Sequence, residues 1–336
     1  MCELFKYLIQ VNPLGLLYGS SGAFLSPENL VGRSGAKFPP DPATLSGLFF
    51  SVNKIKKMFD PKELSKELFI AGPFWADVRN IDNIYVPIPW TKVIGESNYN
   101  EWKLRNGENY QWEKPENKPG EKIEPYYTWL PITEWNKEAR VISSNKSAKV
   151  PPWKFTPILH PQMKSDERSV VEKDGLFLEN AVEMSPENCL VYLSSYPLEE
   201  GWYKFGGENH LVEIKSKRIK PDDKLYKLLY KEKIENTFAL ITPGVWGSTH
   251  LSYRYPQHPT FPKVAKMLTD KPIPYRYSAG GRLGRGRYAV PPGTVYVLEE
   301  PLNQSWSEWL EDWFPQEGFS LKKLGCGLSL PLTIKH

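Results

Sequence analysis

Proline is the residue that most limits what this chain can fold into, because it occurs 31 times in 336 residues, and glycine occurs another 24 times. Both residues interrupt regular structure, so their frequency favours many short strands and built loops over long helices. A chain of this length is expected to form two domains, the alternative being one large domain. Apolar residues make up 40% and charged residues 24%, which is typical of a folded globular protein.

The three cysteines, Cys2, Cys189 and Cys326, are odd in number and far apart, so they form neither a disulfide framework nor a metal-binding spacing. The N-terminus lacks the basic start and long apolar core of a signal peptide. No apolar run approaches the roughly 20 residues of a membrane span. We therefore expect a cytoplasmic protein with reduced thiols that makes no membrane contact and has no metal site.

The first elements predict a strand, a long loop and a capped helix. Residues 3–11 alternate well enough for a strand. A loop rich in Gly, Ser and Pro follows, and Asp41 and Pro42 then suit the N-cap and first turn of a helix. The helix buries residues at helical spacing, namely Leu45, Leu48, Phe49, Val52 and Ile55.

The middle of the chain, about residues 90–160, contains six tryptophans among many Pro, Asn, Lys and Glu residues and has little periodicity. It predicts an insertion of hairpins and loops, with a short helix within 132–146. Beyond it, alternation predicts strands at 172–184, 189–196, 210–219, 236–246 and 293–300. Helices are predicted at 221–235 and 261–268.

This order of elements predicts an α+β fold of β-α-β-β-α-β units, the ferredoxin-like pattern. We expect an N-terminal domain over 1–165, which includes the insertion, and a C-terminal domain over 166–336. The stretch 305–314 places Trp306, Trp309 and Trp313 at spacings of three and four residues. It predicts a helix that packs or docks through its tryptophans; carbohydrate binding is a less favoured interpretation of the twelve tryptophans.

The most informative motif is the run 279–300, AGGRLGRGRYAVPPGTVYVLEE, in which glycines and arginines alternate before a strand. Glycine lets the backbone approach a ligand closely because it has no Cβ, and arginine binds phosphate oxygens with its planar fork. The run predicts contact with phosphate or RNA, with a solvated turn as the alternative. Its spacing fits neither a nucleotide P-loop nor a dinucleotide motif. The acidic stretch 299–317 beside it suggests a second, separate contact surface.

Two other segments are candidates for the same chemistry. The early loop, from Gly19 to Lys37, combines small residues, hydroxyls and cations that suit a sugar-phosphate backbone, although it could be an ordinary connection. In the segment 202–214, Gly206 and Gly207 follow three aromatic residues. These form either a base-stacking platform beside a glycine turn or core residues beside a hairpin turn.

None of the five histidines has metal-ligand spacing. A metal-free ribonuclease needs a general acid and a general base near the scissile phosphate. His250 and His258, which lie near Tyr253 and Arg254, could supply one. We interpret them instead as surface loop residues and expect no catalytic residue in this chain.

Taken together and in order, these segments resemble the third-subunit family of the Cmr (type III-B) CRISPR effector, within the RAMP superfamily. The matching pieces are the Gly-Ser loop with Arg33-Ser34 and PPDPATLSGLF, then FGGENHLVEI, then the run 279–300, and finally LKKLGCGLSL at 321–330. Residues 90–160 have no counterpart. The family's glycine-rich loop often has a tryptophan-acid pair after its first glycine, where this chain has Gly281-Arg282-Leu283.

The resemblance implies two packed ferredoxin-like (RRM-like) RAMP domains. It also implies a non-catalytic subunit without cofactor or small-molecule substrate, which binds the 5′ tag of CRISPR RNA. Its protein partners would be the large palm-domain subunit and a backbone RAMP subunit. The residues it places along the tag are Gly19, Ser20, Ser21, Gly22, Arg33, Ser34, Lys37, Gly206, Gly207, Gly281, Arg282, Arg285 and Arg287. The alternative function is a RAMP endoribonuclease that processes CRISPR repeat RNA.

Overall fold

The fold was obtained as a computed structural model that describes residues 3–18, 38–105, 110–114, 123–161, 164, 166, 167, 169, 170, 176–207, 209–247, 252–279 and 282–335. Its helices are α1 (Pro42–Lys56), α2 (Pro61–Glu67), α3 (Ala139–Ser144) and α4 (Lys224–Tyr226). Its strands are β1 (Tyr7–Pro13), β2 (Leu17–Tyr18), β3 (Ile70–Asp77), β4 (Tyr85–Pro87), β5 (Lys92–Ile94), β6 (Tyr99–Glu101), β7 (Lys103–Arg105), β8 (Gln111–Glu113), β9 (Trp129–Pro131), β10 (Trp153–Pro161), β11 (Leu176–Met184), β12 (Asn188–Ser194), β13 (Gly201–Phe205), β14 (His210–Arg218), β15 (Thr237–Leu240), β16 (Val264–Leu268), β17 (Ile273–Tyr275), β18 (Ser278–Ala279), β19 (Arg282–Leu283), β20 (Arg287–Ala289), β21 (Val295–Leu298) and β22 (Ser329–Pro331).

A seven-stranded antiparallel sheet forms the centre of the molecule, in the order β13-β14-β1-β12-β3-β4-β9. β1 lies between β12 and β14, so Tyr7 faces Ser194 on one side and Arg218 on the other. Alternate residues of a strand point to opposite faces. Accordingly, Leu8 contributes to the core on one face of the sheet and Ile9 to the core on the other.

Helix α1 covers one face of this sheet, as the sequence predicted. It begins at Pro42, directly after Asp41, and buries residues at spacings of three and four, namely Leu45, Leu48, Phe49 and Val52. Each such apolar side chain stabilises the fold by roughly 1.5–3 kcal/mol when buried. Ile55, which the spacing assigned to the same stripe, is 80% exposed.

The C-terminal half covers the other face with a four-stranded sheet, β16-β21-β15-β22, and a cluster of aromatic residues. Trp306, Trp309 and Trp313 are all buried in this cluster. Trp306 and Trp313 lie in two separate 3-10 turns, Trp306–Glu308 and Glu311–Trp313, and Trp309 lies between them, so the prediction of one helix was wrong. Spacings of three and four residues fit consecutive turns of either kind, because a 3-10 turn also repeats every three residues.

Two further helix predictions need correction. Residues 261–268 contain strand β16, which pairs with β21 and whose side chains are half-buried. Pairing with a distant strand therefore determines the local structure there. The segment 221–235 has only the short α4, continued by a π-helical turn over Lys227–Lys231. The buried stripe predicted for it is nevertheless present in Leu225, Leu228 and Leu229.

The predicted division between residues 165 and 166 does not separate the sheets. The central sheet takes β1, β3, β4 and β9 from one side of that boundary and β12, β13 and β14 from the other. The fold is a mixed α and β structure built mostly from antiparallel sheets. In the first half the elements run from β1 through α1, β3 and β4 to α3 and β10, with further short strands between β4 and α3.

The described residues of the region 90–160 form short hairpins, a 3-10 turn at Ile132–Glu134 and one short α-helix, which agrees with the prediction of hairpins and a short helix. β5 pairs with β6 and β7 with β8, and α3 packs on a small separate core that includes Ile94, Leu130 and Ile142. β9 joins the edge of the central sheet, and β10 forms a long hairpin with β11.

The closing segment 321–330 fixes the two halves to each other. Gly325 ends the 3-10 turn Leu321–Leu324 with a φ of +64° and lies against β3. A Cβ at this position would stand 2.3 Å from the Ala71 Cβ, so no side chain fits there. Glycine is required because it alone tolerates both this φ and this approach.

Candidate nucleic-acid interface

The N-terminal end of α1 is held against the central sheet. The buried Tyr192 hydroxyl donates a hydrogen bond to the Pro40 carbonyl at 2.7 Å. Burial raises the pKa of Tyr192 well above its usual value, and the negative charge of Asp41 raises it further. Asp41 also raises the pKa of Tyr275 in β17, after the larger effect of burial. The start of α1 therefore lies beside β12 of the central sheet.

The turn between β13 and β14 meets the same end of the helix. Gly206 has a φ of +77°, and its Cβ position lies 3.9 Å from the Thr44 side chain in the first turn of α1. The Gly206 carbonyl accepts a hydrogen bond from the Asn209 N–H at 3.3 Å. Gly206 and Gly207 thus form a hairpin turn, and no described atom lies within 4 Å of a Cβ built on Gly207.

The glycine-arginine run reaches α1 as well. Ser278 and Ala279 form β18, which pairs with β19, so that Ala279 faces Arg282, and β18 packs against α1. Gly281 lies outside the described residues, as do the predicted contacts of the early loop, namely Gly19, Ser20, Ser21, Gly22, Arg33, Ser34 and Lys37. That loop leads directly into Phe38 and the start of α1. Two segments far apart in sequence, the Gly206-Gly207 turn and β18, therefore both approach α1.

The arginines of the run have different environments. Arg276 Nε donates to the Gly284 carbonyl at 2.7 Å, and the Gly284 N–H donates to the Tyr277 carbonyl at 2.8 Å. Arg287 is only 8% exposed and forms an ion pair with Glu317. Burial lowers the pKa of Arg287, but a guanidinium still remains charged at neutral pH.

Arg287 is therefore part of the protein interior and is not presented to a ligand. Arg285 is exposed, and Arg282 lies in β19 next to the hairpin tip. Arg287 is therefore buried, whereas Arg285, two residues earlier, is exposed. Arg282 and Arg285 remain the predicted phosphate contacts of this segment.

The aromatic residues before Gly206 are mostly core. Tyr203 and Phe205 are buried beneath α1, and the Tyr203 hydroxyl donates to the Glu199 carbonyl at 2.7 Å. Only Trp202 points away from this core, and it is 71% exposed. A continuous stacking platform at this turn is therefore not present.

One exposed aromatic residue went unnoticed in the sequence. Tyr288 directly follows Arg287 and is 56% exposed. The signal that could have revealed its setting is charge: residues 251–298 contain eight Lys and Arg residues and a single acid, Asp270. Such an imbalance over one segment is typical of a surface that faces nucleic acid.

The alternative in which histidines cleave RNA gains no support from the described surroundings of His258. His258 Nδ1 lies 2.9 Å from the Thr260 hydroxyl, in the turn that leads to Phe261, and His250 is outside the described residues. No group of three or more His, Cys, Asp or Glu residues in the described part of the chain could hold a metal ion. In the same part of the chain, every helix is too short or too polar to cross a membrane.

Comparison with known proteins found no matching family model and no matching curated protein. Among solved structures, the chain is similar to one in the type III-B Cmr-beta complex bound to cognate target RNA and AMPPnP, with 13% identity, 86% of each chain covered and a TM-score of 0.49. A second similar chain is in the Csm3-Csm4 subcomplex of the type III-A CRISPR-Cas interference complex, with 9% identity, 89% and 94% coverage and a TM-score of 0.39. Alignments at these values establish neither a family nor a function for this chain.

Proposed function

We propose that this protein is a non-catalytic RNA-binding subunit of a type III CRISPR effector complex that holds the 5′ tag of CRISPR RNA. The observation that carries the proposal is that the Gly206-Gly207 turn and strand β18 both approach helix α1. The start of α1, this turn and the β18–β19 hairpin belong to three of the segments whose sequences resemble the third-subunit family.

The chemistry at this place suits an RNA backbone. Glycine turns allow a sugar-phosphate chain to approach closely, and Arg282 and Arg285 bring positive charge to the same hairpin. A short RNA of fixed sequence can be held by backbone contacts and a few unstacked bases. In this proposal the protein also joins the large palm-domain subunit to the backbone RAMP subunit.

The test is to purify the protein from its own cells with its partners and to sequence the RNA that accompanies it. The expected result is a set of CRISPR RNAs that share one 5′ sequence, together with a large CRISPR subunit. Co-purification with unrelated RNA, or with proteins outside a CRISPR complex, would overturn the proposal. Crosslinking then locates the shared 5′ sequence, which we expect to bond to residues 278–288 or 206–209.

A further inference from the structure

Tyr288 lies on the outer face of a two-stranded ribbon whose inner face is buried. β17 pairs with β20 so that Tyr275 faces Arg287 and Pro274 faces Tyr288. Strand alternation places Tyr275, Arg287 and Ala289 inside, where each is less than a tenth exposed. Tyr288 and Pro274 are left on the outside, and 56% of Tyr288 is accessible.

Hydrogen bonds hold the backbone around Tyr288 in place. The Tyr288 N–H donates to the Ser252 hydroxyl at 3.2 Å, and the neighbouring Val290 exchanges two backbone hydrogen bonds of 2.8–2.9 Å with Gly244. An aromatic ring on a fixed backbone has only two side-chain torsions to order when a ligand binds, so it contributes contact area at a small entropic cost.

The surroundings of Tyr288 are basic. Arg285 is exposed three residues earlier, and Arg254 is exposed two residues after the Ser252 that bonds to Tyr288. A flat ring among cations, with few acids in the same segment, combines the two elements that bind single-stranded nucleic acid: base stacking and phosphate neutralisation. A protein-docking patch would instead be expected to expose several adjoining apolar side chains.

We propose that Tyr288 stacks on a nucleobase of single-stranded RNA while Arg254 and Arg285 contact the neighbouring phosphates. This inference rests on the proposed function, because it extends the RNA path from the β18–β19 hairpin along the outer face of β20. It assigns base contact to a residue for which the sequence analysis predicted no role.

The experiment compares two single-stranded RNAs of about 20 nucleotides, one of mixed sequence and one with the same backbone but no bases, by fluorescence anisotropy at several salt concentrations. The variants are Tyr288→Ala, Tyr288→Phe and Arg254→Ala. Tyr126→Ala is the matched control, since Tyr126 is 49% exposed and lies in the 90–160 region. Thermal melting confirms that each variant is folded.

For the normal RNA we expect Tyr288→Ala to bind roughly 5- to 150-fold more weakly, while Tyr288→Phe and Tyr126→Ala bind like the original protein. For the RNA without bases, Tyr288→Ala should bind like the original protein, whereas Arg254→Ala should weaken binding to both RNAs. If Tyr288→Ala weakens neither, or both equally, the stacking role is wrong while the proposed function stands. If the original protein binds neither RNA, both proposals are overturned.

Discussion

Arg287 of β20 and Glu317 form an ion pair in which only 6% and 13% of the side chains are exposed. The Tyr277 hydroxyl donates a hydrogen bond to the same Glu317 carboxylate. One partner belongs to the glycine-arginine run and the other to the acidic stretch. The two stretches, which the sequence suggested as separate contact surfaces, are therefore joined to each other inside the protein.

We expect Arg287→Ala to lower the free energy of unfolding by about 3–5 kcal/mol, because it leaves the Glu317 carboxylate buried without its partner. Urea denaturation measures this loss. Replacing both residues, as in Arg287→Met with Glu317→Leu, should cost much less, since no isolated charge then remains. An Arg287→Ala variant as stable as the original protein would mean that the pair has no structural role.

Arg282 of the β18–β19 hairpin and Arg285, which follows it, should behave in the opposite way to Arg287. Replacing Arg282 and Arg285 together with alanine should leave unfolding unchanged and weaken RNA binding. It should also reduce the salt dependence of log K by about 0.7 for each phosphate that the protein no longer neutralises. Arg79→Ala is the control, because Arg79 is an exposed arginine paired with Asp77 at the end of β3. An unchanged salt slope in the double variant would remove this hairpin from the RNA path.

Gly325→Ala should lower the free energy of unfolding by about 2 kcal/mol or more, from the left-handed backbone and from overpacking against Ala71. Gly318→Ala separates these two causes, since Gly318 has a φ of +79° but open space around its Cβ position. It should cost only about 1 kcal/mol. Equal losses in the two variants would show that the contact with Ala71 does not matter.

The buried Lys92 makes stability depend on pH. Lys92 is 5% exposed, its ammonium group donates to the Trp135 carbonyl at 2.9 Å, and burial lowers its pKa to about 8. Between that pH and the unfolded pKa of about 10.4, the unfolded chain binds more protons, so the stability contribution from Lys92 rises with pH.

Relative to Lys92→Met, the original protein should therefore gain up to about 1.4 kcal/mol per pH unit from about pH 8 to about pH 10. Below about pH 8 the difference should be constant, because Lys92 is charged in both states. Denaturation at a series of pH values measures this difference. Parallel stability curves for the two proteins would show that Lys92 is not buried in solution.

We expect the protein not to cleave CRISPR repeat RNA in the absence of metal, because we propose that it holds the RNA without a catalytic role. Gel analysis after incubation with the original protein and with His258→Ala should show intact RNA in both cases. Cleavage by the original protein that is abolished in His258→Ala or His250→Ala would favour the endoribonuclease alternative.

Local sequence patterns predicted the elements whose structure depends little on contacts with distant parts of the chain. Alternation located β1, β12 and β14, and the Asp41-Pro42 start located α1, because these signals lie within a few adjacent residues. Residues 261–268 were misjudged because their state depends on pairing with β21, which begins 27 residues beyond the end of β16.

Part of the candidate site could be predicted from the sequence for the same reason. The glycine and arginine content of 279–287 is visible in the sequence, but the burial of Arg287 depends on Glu317, which lies 30 residues further along the chain. Tyr288 was missed because one tyrosine in a strand is equally compatible with either face. Only the pairing of β20 with β17 determines that it points outward.

The position of β1 in the central sheet has a consequence for how the protein is made. Both neighbours of β1, namely β12 and β14, are translated long after it, and the Phe5 N–H bonds to the hydroxyl of Tyr230. Sheets built from such distant pairings fold slowly because a long loop must close first. The nascent chain therefore carries an apolar strand with two open edges throughout the synthesis of residues 14–187, a period in which it is vulnerable to aggregation.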